Sequence, residues 1–422
     1  MGVLEFISLL AIYLEMAVLA LFEYRMWKTM YTPLNLLMLP YAVILMVTVL
    51  SSGTMGIVEF YYPSILVWML GLLIFAVPSY MLALPLRNKL KDAKVGLILD
   101  NINMKYLNVF SVLLVIAFLV RFIYMAKTSG LLPGSDDFGY EYCGGGFWGH
   151  LHRALHALSI IYIYKFDKRH KWYLLLIGGM FFVTLMYGVK SWVLIPAVGG
   201  VCMRLYAGKI KLSISLFIKI FVLAFAVFVV TYTFSLLLGR EDSDTFGNIF
   251  IFICQVFVHY VISGIMGWSQ DLQMGILESP NFDVLLANVL NLYHVIAGNE
   301  YVQAINPHFI HNGVNGSNVR SFFGTIYVNS NFIQFVLLTL SVSAIAYIVK
   351  IWALVNKTIY VNVIYYFVGG LLVMGWFDYF LYTLPAIEVP VWVFIIYFIT
   401  KGRGDEATEP DVVENGIGNS VK

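Results

Sequence analysis

Several cations of this sequence stand where apolar segments end, and their types suit the binding of a phosphate group. Arg240 and Asp242 lie in Gly239-Arg240-Glu241-Asp242, after one apolar segment, and Lys190 lies in the short turn Gly188-Val189-Lys190-Ser191 between two others. A guanidinium can fork onto two phosphate oxygens. A lysine in so short a turn must lie at the depth of lipid head groups. The structural alternatives are a solvated helix end for Arg240 and a snorkelling side chain for Lys190.

A second group of cations accompanies two histidines. Arg121 lies near the end of one apolar segment, and His152, Arg153 and His156 begin the next. A charge facing lipid at mid-bilayer costs roughly 2.5–3.5 kcal/mol, so we expect a polar wall facing other helices. A histidine pair four residues apart could bind zinc, but no HExxH pattern or third ligand accompanies it. We therefore predict no metal site and no cofactor.

The run from 308 to 327 combines residue types that bind sugars. His308, His311, Asn318 and Tyr327 offer hydrogen bonds to hydroxyl groups and a ring face, and Arg320 could serve a phosphate. Turn chemistry alone is the structural alternative for so many Asn, Gly and Ser residues.

If a sugar hydroxyl bound there reacted as a nucleophile, a base would assist it. The candidates on this side are His311, His259 and Asp242. Histidine titrates near neutral pH, whereas aspartate ordinarily does not. His311 therefore ranks first.

Composition restricts the class of protein that positions these residues. The chain has 422 residues, 60% hydrophobic and 12% charged, whereas soluble proteins carry about 25% charged residues. That excludes a cytosolic enzyme, a secreted disulfide scaffold and a disordered protein. The three cysteines form no CxxC pattern, and a net charge of +2 gives no reason to expect nucleic acid as a partner.

Recurring apolar segments of about 20 residues predict an all-α, polytopic integral membrane protein. Either the segment 248–268 dips into the membrane and returns, or a weak partner at 282–298 completes a pair of crossings, so the count is 11 or 13. We favour a re-entrant or steeply tilted segment. Residues 1–400 form one membrane domain with an external loop at 269–331 built of short surface helices, and 401–422 form a disordered cytoplasmic tail. The predicted spans are 2–21, 34–50, 64–84, 106–126, 149–165, 172–189, 191–207, 212–238, 332–350, 360–380 and 386–400.

The distribution of basic residues predicts orientation. Cytoplasmic loops carry an excess of Lys and Arg. The N-terminus is then outside and the C-terminus inside, and every candidate site residue faces the external side. All but six of the 26 basic residues fall on one set of alternate loops; the six are Arg121, Lys127, Arg153, Lys190, Arg240 and Arg320.

The run from 308 to 327, here called the late polar run, resembles a motif of a known family. Ser317-Asn318-Val319-Arg320-Ser321-Phe322-Phe323-Gly324-Thr325-Ile326-Tyr327 resembles the Asn-Val-x-Ser/Thr-x-x-Gly-x-x-Tyr run of bacterial oligosaccharide repeat-unit polymerases, the Wzy-type O-antigen polymerases. Gly188-Val189-Lys190-Ser191 is similar to their Gly-x-Arg/Lys turn, and His259-Tyr260 begins a segment similar to their Tyr-x-x-x-Gly. The chain departs from the pattern at Asn329-Ser330-Asn331-Phe332, where Asp-Phe-Gly would be expected.

The resemblance implies a membrane glycosyltransferase of the GT-C-like type in the bacterial inner membrane, with its active face in the periplasm. Such enzymes transfer a glycan from undecaprenyl pyrophosphate to the non-reducing end of a lipid-linked acceptor unit, without metal. A chain-length regulator is a possible protein partner. With that reaction as the expectation, we assign the candidate residues as follows: Arg240, His311 and Asp242 to catalysis; Lys190, Arg320, Arg153 and Arg121 to the pyrophosphate; and Asn318, Tyr327, His259, Tyr260 and His308 to sugar.

Three other functions stay open. A flippase or transporter would place charges near the bilayer midplane, usually in broken helices and internal repeats, whereas here they cluster at one side. An O-antigen ligase shares the architecture and differs in its acceptor. A histidine-dependent acyltransferase would pair its histidine with an acid, and no acid adjoins His311.

Orientation can be tested by reporter fusions. A periplasm-specific reporter fused near residue 300 should be active, and one fused near residue 90 should be silent, because basic loops stay in the cytoplasm. The reverse pattern would place every candidate residue in the wrong compartment.

Overall fold

In the computed structural model of this chain, the described residues are mostly helical. These residues are 2–54, 56–92, 96–133, 135–216, 218–219, 221–222, 225–226, 228–229, 246–275, 280–306, 308–311 and 316–401. Within them the only strands form a two-stranded hairpin, β1 (Ile310–His311) with β2 (Gly316–Ser317). The all-α prediction is thereby confirmed for the described chain. Arg240, Asp242, most of the predicted span 212–238 and the tail from 402 lie outside these residues.

The described helices follow the predicted apolar segments closely. Short helical turns occur in the connections at Tyr62–Ser64, Asp136–Gly139, Tyr140–Gly144, Phe282–Leu285, Met374–Trp376 and Phe380–Tyr382. The longer helices are α1 (Val3–Trp27), α2 (Pro33–Ser51), α3 (Ile65–Asp92), α4 (Met104–Thr128), α5 (Gly146–Lys165), α6 (Tyr173–Met186), α7 (Ser191–Tyr206), α8 (Phe246–Met274), α9 (Ala287–Ala297), α10 (Phe322–Val328), α11 (Phe332–Asn356), α12 (Ile359–Val373) and α13 (Pro385–Thr400).

Seven of the described helices are long and apolar enough to cross a membrane. A 25-residue helix such as α1 extends about 37 Å at 1.5 Å per residue, more than the roughly 30 Å of a hydrocarbon core. Three shorter apolar helices, α6, α7 and α13, accompany them. The chain is therefore a multi-pass helical membrane protein, while the count of 11 or 13 crossings stays a prediction.

Of the two forms we favoured for the segment around 248–268, re-entrant or steeply tilted, the structure contradicts the first. The segment lies within α8, a continuous helix of 29 residues. A segment that dips into a membrane and returns must reverse its direction, and an unbroken helix cannot do so. The dip is thus wrong, and Phe252–Met274 has the length and hydropathy of a crossing helix.

The predicted weak partner at 282–298 is not a crossing helix. Phe282–Leu285 has four residues and α9 has 11, and both are too short to span the hydrocarbon core. The prediction of short helices within 269–331 is confirmed by Phe282–Leu285 and α9.

Helix α12 forms the centre of the bundle, and α1 lies at its edge. Of the 18 residues Ile359–Trp376, which contain α12, 89% are buried, compared with 17% of an apolar 18-residue stretch of α1. Glycines bring the backbones of α7 and α12 together: a Cβ atom on Gly199 would lie 2.6 Å from the Tyr366 carbonyl oxygen. Small residues permit this contact, which supplies packing energy where lipid provides no hydrophobic drive.

Basic residues from several connections collect at one end of the bundle. Lys165 pairs with Asp100, and Arg204 donates 2.8 Å to the carbonyl oxygen of Ile163. Leu99 donates 2.8 Å to the Lys357 carbonyl oxygen. The alternate-loop pattern is therefore a real spatial grouping, here called the basic end; the compartment it faces stays a prediction.

The glycine contact gives a stability prediction. Gly199→Ala should lower stability by about 1–3 kcal/mol, because the added methyl group must push apart the backbones of α7 and α12. Gly178→Ala in α6 is the matched control, since a Cβ atom there meets nothing within 4 Å. Thermal unfolding of the detergent-purified proteins measures both, and equal midpoints would contradict the packing argument.

Candidate functional site

A buried ion pair anchors the late polar run. Arg320 and Asp271 are 2% and 3% exposed, and the Nε of Arg320 donates to the Asp271 carboxylate. The Nη2 of Arg320 donates 3.0 Å to the His308 carbonyl oxygen, and Nη1 lies 3.3 Å from the carbonyl oxygens of Ser317 and Val319. A buried pair is tolerated when its remaining donors are satisfied in this way. The predicted phosphate ligand Arg320 is thus occupied by protein groups and holds the run in place.

Ser321, the next residue, adopts a backbone conformation that is almost confined to glycine. Its φ is 62° and its ψ is 168°, which costs of order 1–3 kcal/mol. Its N–H donates 3.0 Å to the Phe377 carbonyl oxygen, and its Oγ accepts 3.0 Å from Trp68 Nε1. These bonds hold the strained residue where α10 begins.

Two glycines of α8 let this irregular backbone approach the helix. A Cβ atom on Gly267 would collide with the Val319 carbonyl oxygen, and one on Gly264 would collide with that of Phe377. The segments around 319 and 377 therefore lie directly on the backbone of α8.

A second buried carboxylate, Asp378, lies in the connection between α12 and α13. It accepts 2.6 Å from Thr325 Oγ1, 2.7 Å from Tyr382 Oη and 2.8 Å from the Tyr379 N–H. Burial raises the pKa of the Asp378 carboxyl, and the bonds from Thr325 and Tyr382 oppose that rise. Sequence analysis missed this residue, although an acid in an otherwise apolar segment was a signal for it.

The predicted sugar-binding residues of the run lie at or near its surface. His308 and His311 are exposed, and His311 pairs in the hairpin with Gly316. Asn318 is half-buried and its carbonyl oxygen accepts 3.0 Å from Asn306. The half-buried ring of Tyr327 lies 5.3 Å from that of Trp268.

Arg153 lies among polar and aromatic groups near the start of α5. Its Nη1 is 3.0 Å from His152 Nδ1, and its Nε is 3.5 Å from an oxygen of Glu388. Its guanidinium carbon lies 5.5 Å from the centre of the Tyr187 ring. The expected polar wall is thus present at Arg153, and Glu388 is a member that sequence analysis missed.

Lys190 lies at the same end of the bundle, over aromatic rings. Its Nζ is 5.5 Å from the centre of the Phe228 ring and 5.7 Å from that of Tyr260. Tyr260 lies 4.9 Å from Phe377, whose carbonyl accepts the bond from Ser321. Lys190 is therefore connected to the late polar run through two rings.

Trp192 connects the surroundings of Lys190 with those of Arg153. Its ring lies 5.5 Å from His156 and 5.9 Å from Phe380. We call Arg153, Lys190, Trp192, Tyr260 and Phe377 the cation–aromatic cluster. His259, next to Tyr260 on α8, is buried beside it.

The surroundings of Arg121 differ from those expected for a phosphate ligand. Its Nε donates 2.7 Å to the Tyr142 carbonyl oxygen and its Nη2 donates 2.7 Å to that of Glu141. The guanidinium also lies 4.8 Å from the centre of the Trp148 ring. Arg121 therefore holds the connection between α4 and α5 against α4.

In the described part of the chain, no three His, Cys, Asp or Glu side chains gather in a way that could hold a metal ion.

Fold and site together define a multi-pass α-helical membrane protein whose polar residues converge at the end opposite the basic one. The chain belongs to a family of unknown function (DUF6337), whose model matches residues 56–405. That range includes the ion pair, Asp378 and the whole cation–aromatic cluster. Neither a curated protein nor a solved structure matches the chain significantly.

The ion pair can be tested by a mutant cycle. Arg320→Ala should destabilise the protein by about 3–5 kcal/mol, because it leaves the Asp271 charge buried without its partner. The double variant Arg320→Met/Asp271→Leu should recover much of that loss. Thermal unfolding in detergent measures the cycle, with the exposed Lys127→Ala as control. Additive losses in the double variant would show that the two side chains are not coupled.

Proposed function

We propose that the protein is a membrane glycosyltransferase, GT-C-like, that polymerises lipid-linked oligosaccharide repeat units of a surface polysaccharide. It transfers the glycan from undecaprenyl pyrophosphate to the non-reducing end of an acceptor unit at the periplasmic face of the bacterial inner membrane. The observation that carries the proposal is the cation–aromatic cluster, which lies beside the run that resembles O-antigen polymerases.

The cluster suits a lipid pyrophosphate as leaving group. Negative charge develops on the bridging oxygen when the glycosidic bond breaks, and fixed cations stabilise that charge without metal. Lys190 lies in a short turn that keeps it near the head groups, and Arg153 lies about two turns into the neighbouring α5, which begins at Gly146. Arg240, the cation that we assign to catalysis, would stabilise the same leaving group, and Asp242 stays a candidate base.

The sugar side of the proposal rests on the exposed part of the late polar run. Arg320 and Asp271 fix that run against α8. The conformational entropy of the run is therefore lost when the protein folds and not when the substrate binds. Asn318, His308 and His311 are partly or fully exposed there. These side chains can give hydrogen bonds to hydroxyl groups, and the Tyr327 and Tyr260 rings can give apolar faces.

A flippase or transporter of lipid-linked oligosaccharide is the second candidate, and one observation favours it. Glu23 and Lys350 are each 1% exposed at the basic end. Glu23 accepts 2.8 Å from Tyr347 Oη, and Lys350 donates 2.8 Å to the Tyr31 carbonyl oxygen. Buried ionisable groups within membrane helices often belong to transport pathways. An O-antigen ligase remains the third candidate.

A deletion strain separates the three functions. Loss of the polymerase should leave surface lipid carrying one repeat unit, since each unit is still exported and attached. Loss of a flippase should remove lipid-linked units from the surface, and loss of a ligase should leave polymer that is not joined to lipid A. Either of the last two patterns would contradict the polymerase proposal.

Complementation of that strain tests the cations. Lys190→Ala and Arg240→Ala should each reduce polymer formation by about 10²–10³-fold, because each removes a charge that the leaving group needs. Arg240→Lys should also reduce it, since lysine cannot fork onto phosphate. The exposed Lys127→Ala should behave as wild type. Undiminished polymer from Lys190→Ala and Arg240→Ala, or inactivation by a chelator, would contradict these roles.

A further inference from the structure

We propose that His150, oriented by Glu388, accepts the proton of the incoming sugar hydroxyl. The inference rests on the proposed glycosyl transfer and assigns its acid–base residue, for which the sequence favoured His311. No sequence pattern indicates that His150 and Glu388 are in contact, because they are 238 residues apart in the chain.

The two side chains meet where α5 and α13 begin. Nδ1 of His150 is hydrogen-bonded to the Glu388 carboxylate. One turn further along α13, Trp392 Nε1 donates 2.7 Å to the His150 carbonyl oxygen. The first turns of the two helices are therefore connected by both side chain and backbone, which fixes the position of the imidazole.

His150 and Glu388 differ in exposure, and this difference assigns them different roles. The His150 side chain is 60% exposed, whereas that of Glu388 is 15% exposed. A carboxylate at Nδ1 favours the tautomer with hydrogen on Nδ1, which leaves the Nε2 lone pair to accept a proton. The histidine is thus the member that an acceptor sugar can reach, and Glu388 is a positioning residue that stabilises the imidazolium formed.

The pair adjoins the cation proposed for the leaving group. The second oxygen of Glu388 lies 3.5 Å from the Nε of Arg153, three residues along α5 from His150. One carboxylate therefore contacts both the base and a pyrophosphate ligand. An acceptor hydroxyl at His150 would lie close to the glycosidic bond of a donor whose pyrophosphate lies at Arg153 and Lys190.

The step balances without a cofactor. The acceptor O–H bond breaks and its proton passes to Nε2 of His150, while the hydroxyl oxygen forms a bond to the anomeric carbon of the donor. The bond from that carbon to the pyrophosphate oxygen breaks, and the lipid pyrophosphate leaves with the electron pair. The imidazolium then releases its proton to water on its exposed side.

Purified protein with lipid-linked donor and acceptor units tests the inference. His150→Ala should lower kcat by about 10²–10⁴-fold with little change in KM, because a general base acts in the transition state. Added imidazole should restore part of the lost rate, which a purely structural role of His150 would not allow. Glu388→Gln keeps the shape of the side chain and should lower kcat without rescue by imidazole.

The other end of the molecule supplies a matched control. His170 also pairs with a carboxylate, at 3.0 Å from Asp167, and both side chains are about half exposed. His170→Ala should retain the wild-type kcat. Thermal unfolding of each variant separates lost activity from lost structure.

The outcomes distinguish the two proposals. If wild-type protein transfers glycan and folded His150→Ala keeps its kcat, the acid–base assignment is overturned and the glycosyltransferase stands. If His150→Ala loses rate that imidazole does not restore while Glu388→Gln is unaffected, the assignment is likewise overturned. If wild-type protein transfers no glycan under conditions that support a known polymerase, both proposals fall together.

Discussion

The buried contact between Arg320 and Asp271 holds together the irregular part of this helical protein. Backbone that is not helical can be buried only when its polar groups find hydrogen-bond partners. The guanidinium of Arg320 supplies such partners to the carbonyl groups of His308, Ser317 and Val319. Asp271 in turn compensates the positive charge. The late polar run can therefore lie against α8 instead of extending into water.

Magnitudes show why this contact dominates its surroundings. The Ser321 conformation costs of order 1–3 kcal/mol, whereas leaving one member of a buried ion pair alone costs about 3–5 kcal/mol. The free-energy cost of the strain at Ser321 is therefore smaller than the cost of leaving one member of the pair alone. Hydrogen bonds from Ser321 to Phe377 and from Thr325 to Asp378 link the late polar run to the connection between α12 and α13.

The cations that look equivalent in the sequence have separate tasks in the structure. Arg320 and Arg121 direct their guanidinium groups at backbone carbonyls, so each one positions a connection. Arg153 and Lys190 lie over the rings of Tyr187 and Tyr260 in the cation–aromatic cluster and its surroundings. This separation narrows the proposed pyrophosphate site to two described cations, beside which Glu388 and His150 supply the proposed acid–base pair.

The sequence by itself determined the class of protein and much of its helical pattern. A chain with 60% hydrophobic residues in repeated long segments must satisfy its backbone within each segment, and the α-helix does this locally. The same local rule predicted short helices between 269 and 331, one of which is α9. Only the tertiary structure decided which polar residues meet. Arg320 and Asp271 are 49 residues apart, Thr325 and Asp378 are 53 apart, and His150 and Glu388 are 238 apart. A buried acid or base in an apolar segment indicates that a partner exists, but helix packing selects that partner, because local periodicity carries no information about which distant segment lies alongside.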